Sequence, residues 1–288
     1  SVRTAKDLGP IDRWVLSRMN RMLAEVETQL GDYRLDLAAQ ALYEFTWNEY
    51  CDWYLELSKA TLQSDDENVR AATRHTLLHV LETTLRALHP IMPFITEEIW
   101  GRVHPRLGIE GETIMLQPFP EAGEADPEAE ADVAWLQNVI QGVRRIRSEL
   151  NLPPGKPLDV RLQNGDDADR ARAIAFDDAL KTLARTQSLQ WVEDDFDSAQ
   201  CAVSLVGRLK VLIPLKGLVD VDEELARLNR QLGKETAELK KSEGKLGNKR
   251  FVDNAPEAVV EQERERLAAH RENVENLKAQ VRQMEALR

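Results

Sequence analysis

The chain has 288 residues, of which 42% are hydrophobic and 31% charged, and its formal net charge is -12. This length predicts two or three domains, and the acidic balance argues against a protein that coats DNA. The two cysteines, Cys51 and Cys201, are far apart and lack metal-ligand spacing, so neither a zinc knuckle nor a disulfide framework is expected. No apolar run approaches the roughly 18 residues of a membrane span. We therefore expect a cytoplasmic protein without a membrane partner.

Apolar residues at helical spacing predict an antiparallel helical bundle in residues 1–118. Gly31 and Asp32 end the first helix, Tyr33–Leu35 form the connector, and Asp36 is expected to cap the second helix. A residue of the polar loop 63–66 is expected to cap the third. The predicted helices are Ile11–Leu30, Asp36–Leu62, Glu67–Leu88 and Phe94–Val103.

The stretch Ala41–Leu57 contains six of the sixteen aromatic residues. Steps of three and four predict one helical face. This face comprises Tyr43, Trp47, Tyr50, Tyr54 and Leu57. We expect it to be buried in the core, because so much apolar area is costly to leave in water. The alternative, a platform for stacking bases, cannot use all six rings and still hold a fold together.

Residues 119–217 are predicted to form an acidic linker, a helix and a small α+β subdomain. Glu121–Asp132 contains six acidic and no basic residues and is expected to be solvated. The helix Val133–Leu150 is expected to expose Arg144, Arg145 and Arg147. The subdomain is predicted from strand patterns and one helix. These segments are Leu158–Gln163, Leu189–Glu193, Ala202–Leu215 and the helix Asp167–Leu183.

Residues 218–288 repeat apolar residues every seven positions in two arms, which predicts an antiparallel coiled-coil hairpin. Asp253 or Asn254 is expected to cap the second arm, with Pro256 in its first turn. Four polar residues fall at seam positions toward the turn, so the tip is expected to pack less well than the base. They are Glu235, Ser242, Glu263 and His270. The pattern leaves the register open.

The fold class is therefore mainly α: a helical bundle, a small α+β subdomain and a coiled-coil hairpin. No phosphate-binding, dinucleotide, metalloprotease or nucleophile-elbow motif is present, and no catalytic residue, metal site or cofactor site is expected. The hairpin tip is basic, with five cations against Glu243 between positions 239 and 251, which suits a phosphate backbone. A solvated helix face is the alternative. The cations are Lys240, Lys241, Lys245, Lys249 and Arg250.

Three segments in order resemble the anticodon-binding domain of class I aminoacyl-tRNA synthetases: DRWVLSRMNR (Asp12–Arg21), ALYEFTWNEYCDWYLELSK (Ala41–Lys59) and HPIMPFITEEIW (His89–Trp100). The valyl type fits best. IRSELNLPPGKPL (Ile146–Leu158) is similar to its pattern, and so is a hairpin carrying KLGNKRFVDNAPEAVVEQE (Lys245–Glu263). An isoleucyl or leucyl type is an alternative, although the isoleucyl type implies a cysteine-rich zinc module that this tail lacks. A coiled-coil interaction protein is a third.

The resemblance implies an enzyme that joins valine to its tRNA using ATP and Mg²⁺. The HIGH and KMSKS signatures are absent from this chain. The resemblance therefore implies that the catalytic and editing domains precede Ser1, and that this part alone is inactive. The implied partner is valine tRNA, not DNA, and a monomer is expected.

In the family, the bundle reads the anticodon, whose middle A and third C mark valine tRNAs. The corresponding positions here lie in the first helix and the connector: Arg13, Arg18, Arg21, Tyr33, Arg34 and Leu35. Position 35 departs from the aromatic residue expected there. The resemblance implies contacts with the tRNA body from Arg144, Arg145 and Arg147 and from the five basic residues of the hairpin tip. A surface salt bridge is the alternative for each arginine.

Overall fold

The computed structural model describes residues 8–218 and 220–286. Residues 1–7, 219 and 287–288 of the predicted segments lie outside the described residues. The architecture is mainly α with one small sheet, as predicted. The helices of the first part are α1 (Pro10–Gly31), α2 (Leu35–Glu44), a π-helical segment (Phe45–Tyr54), α3 (Leu55–Leu62), α4 (Glu67–Leu88) and α5 (Pro93–Val103). Short 3-10 turns follow at His104–Leu107 and Ile114–Leu116.

The helix boundaries follow local signals. Pro10 and Pro93 occupy the first turns of α1 and α5, where the missing N–H costs nothing. Asp66 caps α4 by accepting a hydrogen bond from the Asn68 N–H at 2.7 Å, which confirms a cap in the polar loop. The predicted cap at Asp36 is wrong. Helix α2 begins one residue earlier, and the Asp36 carboxylate accepts hydrogen bonds from the Arg34 guanidinium instead.

The aromatic stretch is only partly buried. Tyr54 and Leu57 lie in the core, but Tyr43 and Trp47 are 63% and 56% exposed, so the predicted single buried face is wrong for these two. The reason is the π-helical segment, in which each N–H bonds to the carbonyl five residues back, as Leu55 does to Tyr50. The longer repeat brings Phe45 inward.

The acidic stretch is not a solvated linker from Pro127 onward. It forms the first turns of α6 (Pro127–Glu149), with the Asp126 carboxylate capping the helix through the Ala129 N–H. Ala129 is buried, and Glu130 accepts a hydrogen bond from the Ser17 hydroxyl of α1 at 2.6 Å. Asp126 and Glu130 are therefore paired with α1 and Asp132 with Arg172, whereas the other three acidic side chains of the stretch stay exposed. One hydrophobic core runs from the bundle through α6 into the sheet.

The sheet has the strand order β2-β1-β4-β3. Its strands are β1 (Leu158–Gln163), β2 (Thr186–Trp191), β3 (Cys201–Val206) and β4 (Leu209–Pro214). Strands β1 and β2 are parallel and joined by α7 (Asp167–Ala175) and α8 (Asp177–Leu183), while β4 pairs antiparallel with β1 and β3. The predicted single helix is thus two, separated at Phe176, whose ring is buried.

The hairpin consists of α9 (Val221–Gly247), the short α10 (Lys249–Asn254) and α11 (Glu257–Glu285). The polar seam residues set its register. Ser242 Oγ donates to Glu263 Oε1 at 2.8 Å, and one heptad toward the base Glu235 Oε2 lies 2.8 Å from His270 Nδ1. Continuing in steps of seven brings Leu228 to Leu277 and Val221 to Met284, and these four residues share one apolar cluster.

That apolar cluster also includes Leu215 beside the sheet, so apolar packing is concentrated at the base, as predicted. The predicted cap by Asp253 or Asn254 is wrong. Pro256 itself occupies the N-cap of α11, and the Asn254 amide donates back to the Arg250 carbonyl at 2.8 Å. None of the helices in the described part of the chain is both long and apolar enough to cross a membrane.

Candidate nucleic-acid interface

The turn between α1 and α2 projects apolar side chains into solvent. Tyr33 is 91% exposed and has a φ of 58°, in the left-handed region that a bulky residue rarely adopts. Leu35, the first residue of α2, is 63% exposed. A strained, solvent-facing aromatic residue beside an exposed leucine offers two surfaces on which an unstacked base can lie.

Between these two side chains, Arg34 is paired with Asp36. The Arg34 Nε and Nη2 atoms lie 3.0 and 2.8 Å from the two carboxylate oxygens. This guanidinium lowers the pKa of Asp36 to about 2. Both side chains are more than half exposed, so solvent screening weakens the ion pair between Arg34 and Asp36. A phosphate or a base edge can therefore replace the Asp36 carboxylate as the partner of Arg34.

A second apolar turn lies at the same end of the bundle. Short turns join α1 to α2 and α3 to α4, so α1 and α4 run in the same direction and end on the same side. The α4–α5 turn exposes four large apolar side chains, and the Phe94 ring is 90% exposed. They are Ile91, Met92, Phe94 and Ile95. From the sequence this segment is predicted to break the helix and carries part of the resemblance, but it is assigned no binding role, although its apolar run between two prolines is a visible signal.

The three arginines of α1 are held in ion pairs. Arg18 donates two hydrogen bonds to Glu49 at 2.8 and 2.7 Å. These hydrogen bonds are the main reason why the pKa of Arg18 is raised. Arg21 Nε lies 2.6 Å from Glu130, and Arg13 lies 3.3 Å from Asp126. These contacts tie α1 to the π-helical segment and to α6.

The arginines of α6 lie in three different environments. Arg147 was expected on the exposed side, and that prediction is wrong. Its guanidinium is buried and donates to the carbonyls of Pro153, Lys156 and Ala184 at 2.9, 2.7 and 3.1 Å. Burial lowers its pKa.

Arg144 and Arg145 are exposed, as predicted. The Arg144 guanidinium lies 5.9 Å from the centre of the Trp53 ring and 3.3 Å from the Leu183 carbonyl. Arg145 points toward β3 instead, where it donates to the Ser204 hydroxyl at 3.0 Å and lies 3.9 Å from Glu149.

The basic residues of the hairpin tip are all exposed. Lys241 pairs with Glu238, and Lys245 lies 3.3 Å from Glu263. In residues 8–218 and 220–286, the other three have no ion-pair partner within 4.0 Å. They are Lys240, Lys249 and Arg250. Three of the five basic residues at the far end of the rod are therefore available to an external anion.

Comparison with known sequences identifies the class. Residues 12–162 match the sequence model of the anticodon-binding domain of tRNA ligase, which spans the bundle, α6 and most of β1. The chain belongs to this family. Residues 220–285 match the valyl tRNA synthetase tRNA binding arm.

The individual relatives are valine–tRNA ligases. The chain is 48% identical to that of Xylella fastidiosa strain 9a5c over 269 residues, which are 92% of this chain and 27% of the relative. It is 47% identical over 260 residues to that of Xanthomonas campestris pv. campestris strain B100, covering 89% of this chain and 28% of the relative. The chain thus spans about a quarter of the length of these relatives.

Proposed function

We propose that this chain is the tRNA-recognition part of a valine–tRNA ligase. The observation that carries the proposal is the combination, in one chain, of an anticodon-binding domain with a valyl-type tRNA-binding arm. The arm favours the valyl type over isoleucyl or leucyl types. In this proposal the bundle reads the anticodon and the hairpin contacts the tRNA body.

The end of the bundle that carries both exposed turns is the proposed anticodon site. Anticodon bases are unstacked and are read through their faces and edges. Tyr33, Leu35 and Phe94 supply apolar faces, and Arg34 supplies a cation that a carboxylate holds only at the surface. We assign Arg13, Arg18 and Arg21 to holding α1 in place, because each already pairs with a carboxylate.

The hairpin is suited to the phosphate backbone of the tRNA body. Helix α9 has 27 residues, which at 1.5 Å per residue is a rod about 40 Å long. At the tip of the hairpin, Lys240, Lys249 and Arg250 have no ion-pair partner among the residues that the structure describes. An acidic protein can bind RNA in this way, because the positive charge is presented where the rod meets the phosphates.

The remaining part of such a ligase supplies the chemistry. We propose that the complete enzyme uses ATP and Mg²⁺ to join valine to its tRNA, acts as a monomer in the cytoplasm, and carries its catalytic residues outside this chain. No residue of this chain is assigned to ATP or Mg²⁺. Its contribution is to select and orient the tRNA.

Binding measurements at several salt concentrations test this function. The 288-residue chain should bind valine tRNA with salt-sensitive affinity, and a tRNA with its middle anticodon base changed more weakly. Equal binding of both tRNAs with strong salt dependence would restrict the interaction to the hairpin. Absence of binding would overturn the proposal.

A further inference from the structure

A groove of about 680 Å³ lies where α6 ends beside the turn from α8 into β2. It is separate from the anticodon end and from the hairpin tip. Three arginines line it: Arg144, Arg147 and Arg185. The other lining residues are neutral and include Asn151, Pro154 and Leu183.

The positive charge of this groove is not neutralised. Within residues 8–218 and 220–286, none of its three arginines has a carboxylate within 4.0 Å, whereas each α1 arginine has one. Arg147 is buried with carbonyl partners only. Its pKa is lowered mainly by burial and additionally by repulsion from the positive charge of Arg185. Such an arrangement is costly without an anion, since the buried Arg147 guanidinium lies near a like charge and has no carboxylate to offset it.

The groove is also preorganised. Three carbonyl oxygens fix the Arg147 guanidinium, and the Trp53 ring and the Leu183 carbonyl restrain Arg144. Arg185 has a φ of 54° and Asn151 a φ of 51°, both in the left-handed region. This conformation is ordinary for asparagine but strained for arginine, and strain of this kind persists where the surroundings require it.

We propose that this groove binds a phosphate group of an RNA backbone, with Arg144 and Arg185 contacting the phosphate and Arg147 setting the positive field beneath it. Planar guanidinium groups donate paired hydrogen bonds to phosphate oxygens, and phosphate contacts fix the register of an RNA without reading its sequence. The inference rests on the proposed function and places the ligand on a helical part of the tRNA, away from the anticodon. Arg145 lies outside the groove and is not part of this site.

Two substitutions test the site while preserving the fold. Arg185→Gly removes the guanidinium and also releases the left-handed strain, so the variant should melt no lower than wild type. Arg144→Gln removes the charge and keeps most of the side chain. Arg208→Ala is the matched control, because Arg208 is exposed in the β3–β4 turn.

The variants are measured against valine tRNA across salt concentrations, and against inorganic phosphate by calorimetry. Each groove variant should weaken tRNA binding and lower the slope of log affinity against log salt by about one, while Arg208→Ala changes neither. Wild-type slopes and affinities in both groove variants would overturn the site even though the chain binds tRNA. A different outcome is that wild type binds phosphate saturably and the groove variants do not, while tRNA binding is the same in all of them. That result would identify a small-anion site and overturn the RNA assignment. A wild-type chain that binds no tRNA would overturn both the proposed function and this ligand.

Discussion

The Tyr54 hydroxyl donates a hydrogen bond to the Asp12 carboxylate at 2.6 Å, and both groups are buried. Thr73 of α4 donates to the second carboxylate oxygen at 3.1 Å. One carboxylate thus joins α1, the π-helical segment and α4 at the centre of the bundle. Burial raises the pKa of Asp12, because the charged form is desolvated there.

Replacing this carboxylate should destabilise the bundle. Asp12→Ala leaves two buried hydroxyls without their acceptor and should reduce the free energy of unfolding by about 2–3 kcal/mol. Asp12→Asn retains an acceptor for Tyr54 and should lose less. Urea unfolding followed by circular dichroism measures both, and an alanine variant as stable as wild type would contradict the role of Asp12.

The raised pKa of Asp12 also predicts a pH dependence. The folded state holds the proton more tightly than the unfolded state, in which the pKa of Asp is about 3.9. The contribution of Asp12 to stability therefore falls as pH rises from that value through the folded-state pKa. Unfolding free energies of wild type and Asp12→Asn, measured in parallel against pH, should diverge in this direction. A constant difference would show that Asp12 titrates normally.

The ion pair of Arg18 with Glu49 should support stability more than RNA binding. Arg18→Ala should lower the unfolding free energy by about 1 kcal/mol, because a partly exposed twin hydrogen bond is lost. Arg106→Ala, at an exposed site, serves as the control. If tRNA affinity falls strongly while stability is unchanged, Arg18 contacts RNA directly.

Across the hairpin, Ser242 and Glu263 should be energetically coupled. A double-mutant cycle with alanine at both positions should give a coupling energy of about 1 kcal/mol, since the hydrogen bond is buried. The exposed pair Lys278–Glu275 should give about 0–0.5 kcal/mol. Equal coupling in both pairs would argue against the register described above.

Charge at the hairpin tip should act on all tRNAs alike. Replacing Lys240, Lys249 and Arg250 by alanine should weaken every tRNA similarly and flatten the salt dependence by up to about three in slope, because each loses a phosphate partner. Lys278→Ala is the control, at the base of α11 and already paired. An effect that depends on the anticodon would contradict the division of roles between bundle and hairpin.

Much of the fold could be predicted from the sequence because its signals are local. Prolines, caps and heptads give the ends of α1, α4, α5 and both arms within a few residues. The errors arise where distant residues decide. Glu130 joins a helix because Ser17 and Arg21 lie opposite it, and Arg147 turns inward because carbonyls of a later loop surround it. Tyr43 and Trp47 face outward because the hydrogen bonds shift to a longer repeat.

The candidate site shows the same division. Exposure of Tyr33, Arg34 and Leu35 follows from a short connector after Gly31, and these residues could be predicted from the resemblance. The carboxylate partners of the α1 arginines lie far away in sequence and could not be assigned. The α4–α5 turn lies at the same end of the bundle as the α1–α2 turn, as short turns between antiparallel helices require, but the exposure of the Phe94 ring there was not predicted.

Anticodon discrimination by the apolar end of the bundle is the central claim and has a direct test. The ratio of Kd values for valine tRNA and for a tRNA with its middle anticodon base changed is measured for wild type and for Tyr33→Ala, Leu35→Ala and Phe94→Ala combined. Wild type should bind valine tRNA more tightly than the changed tRNA. The combined variant should lose about 1–3 kcal/mol of binding free energy to valine tRNA for each base that it no longer stacks, so that the ratio of the two Kd values approaches one. An unchanged ratio in the correctly folded variant would contradict the claim.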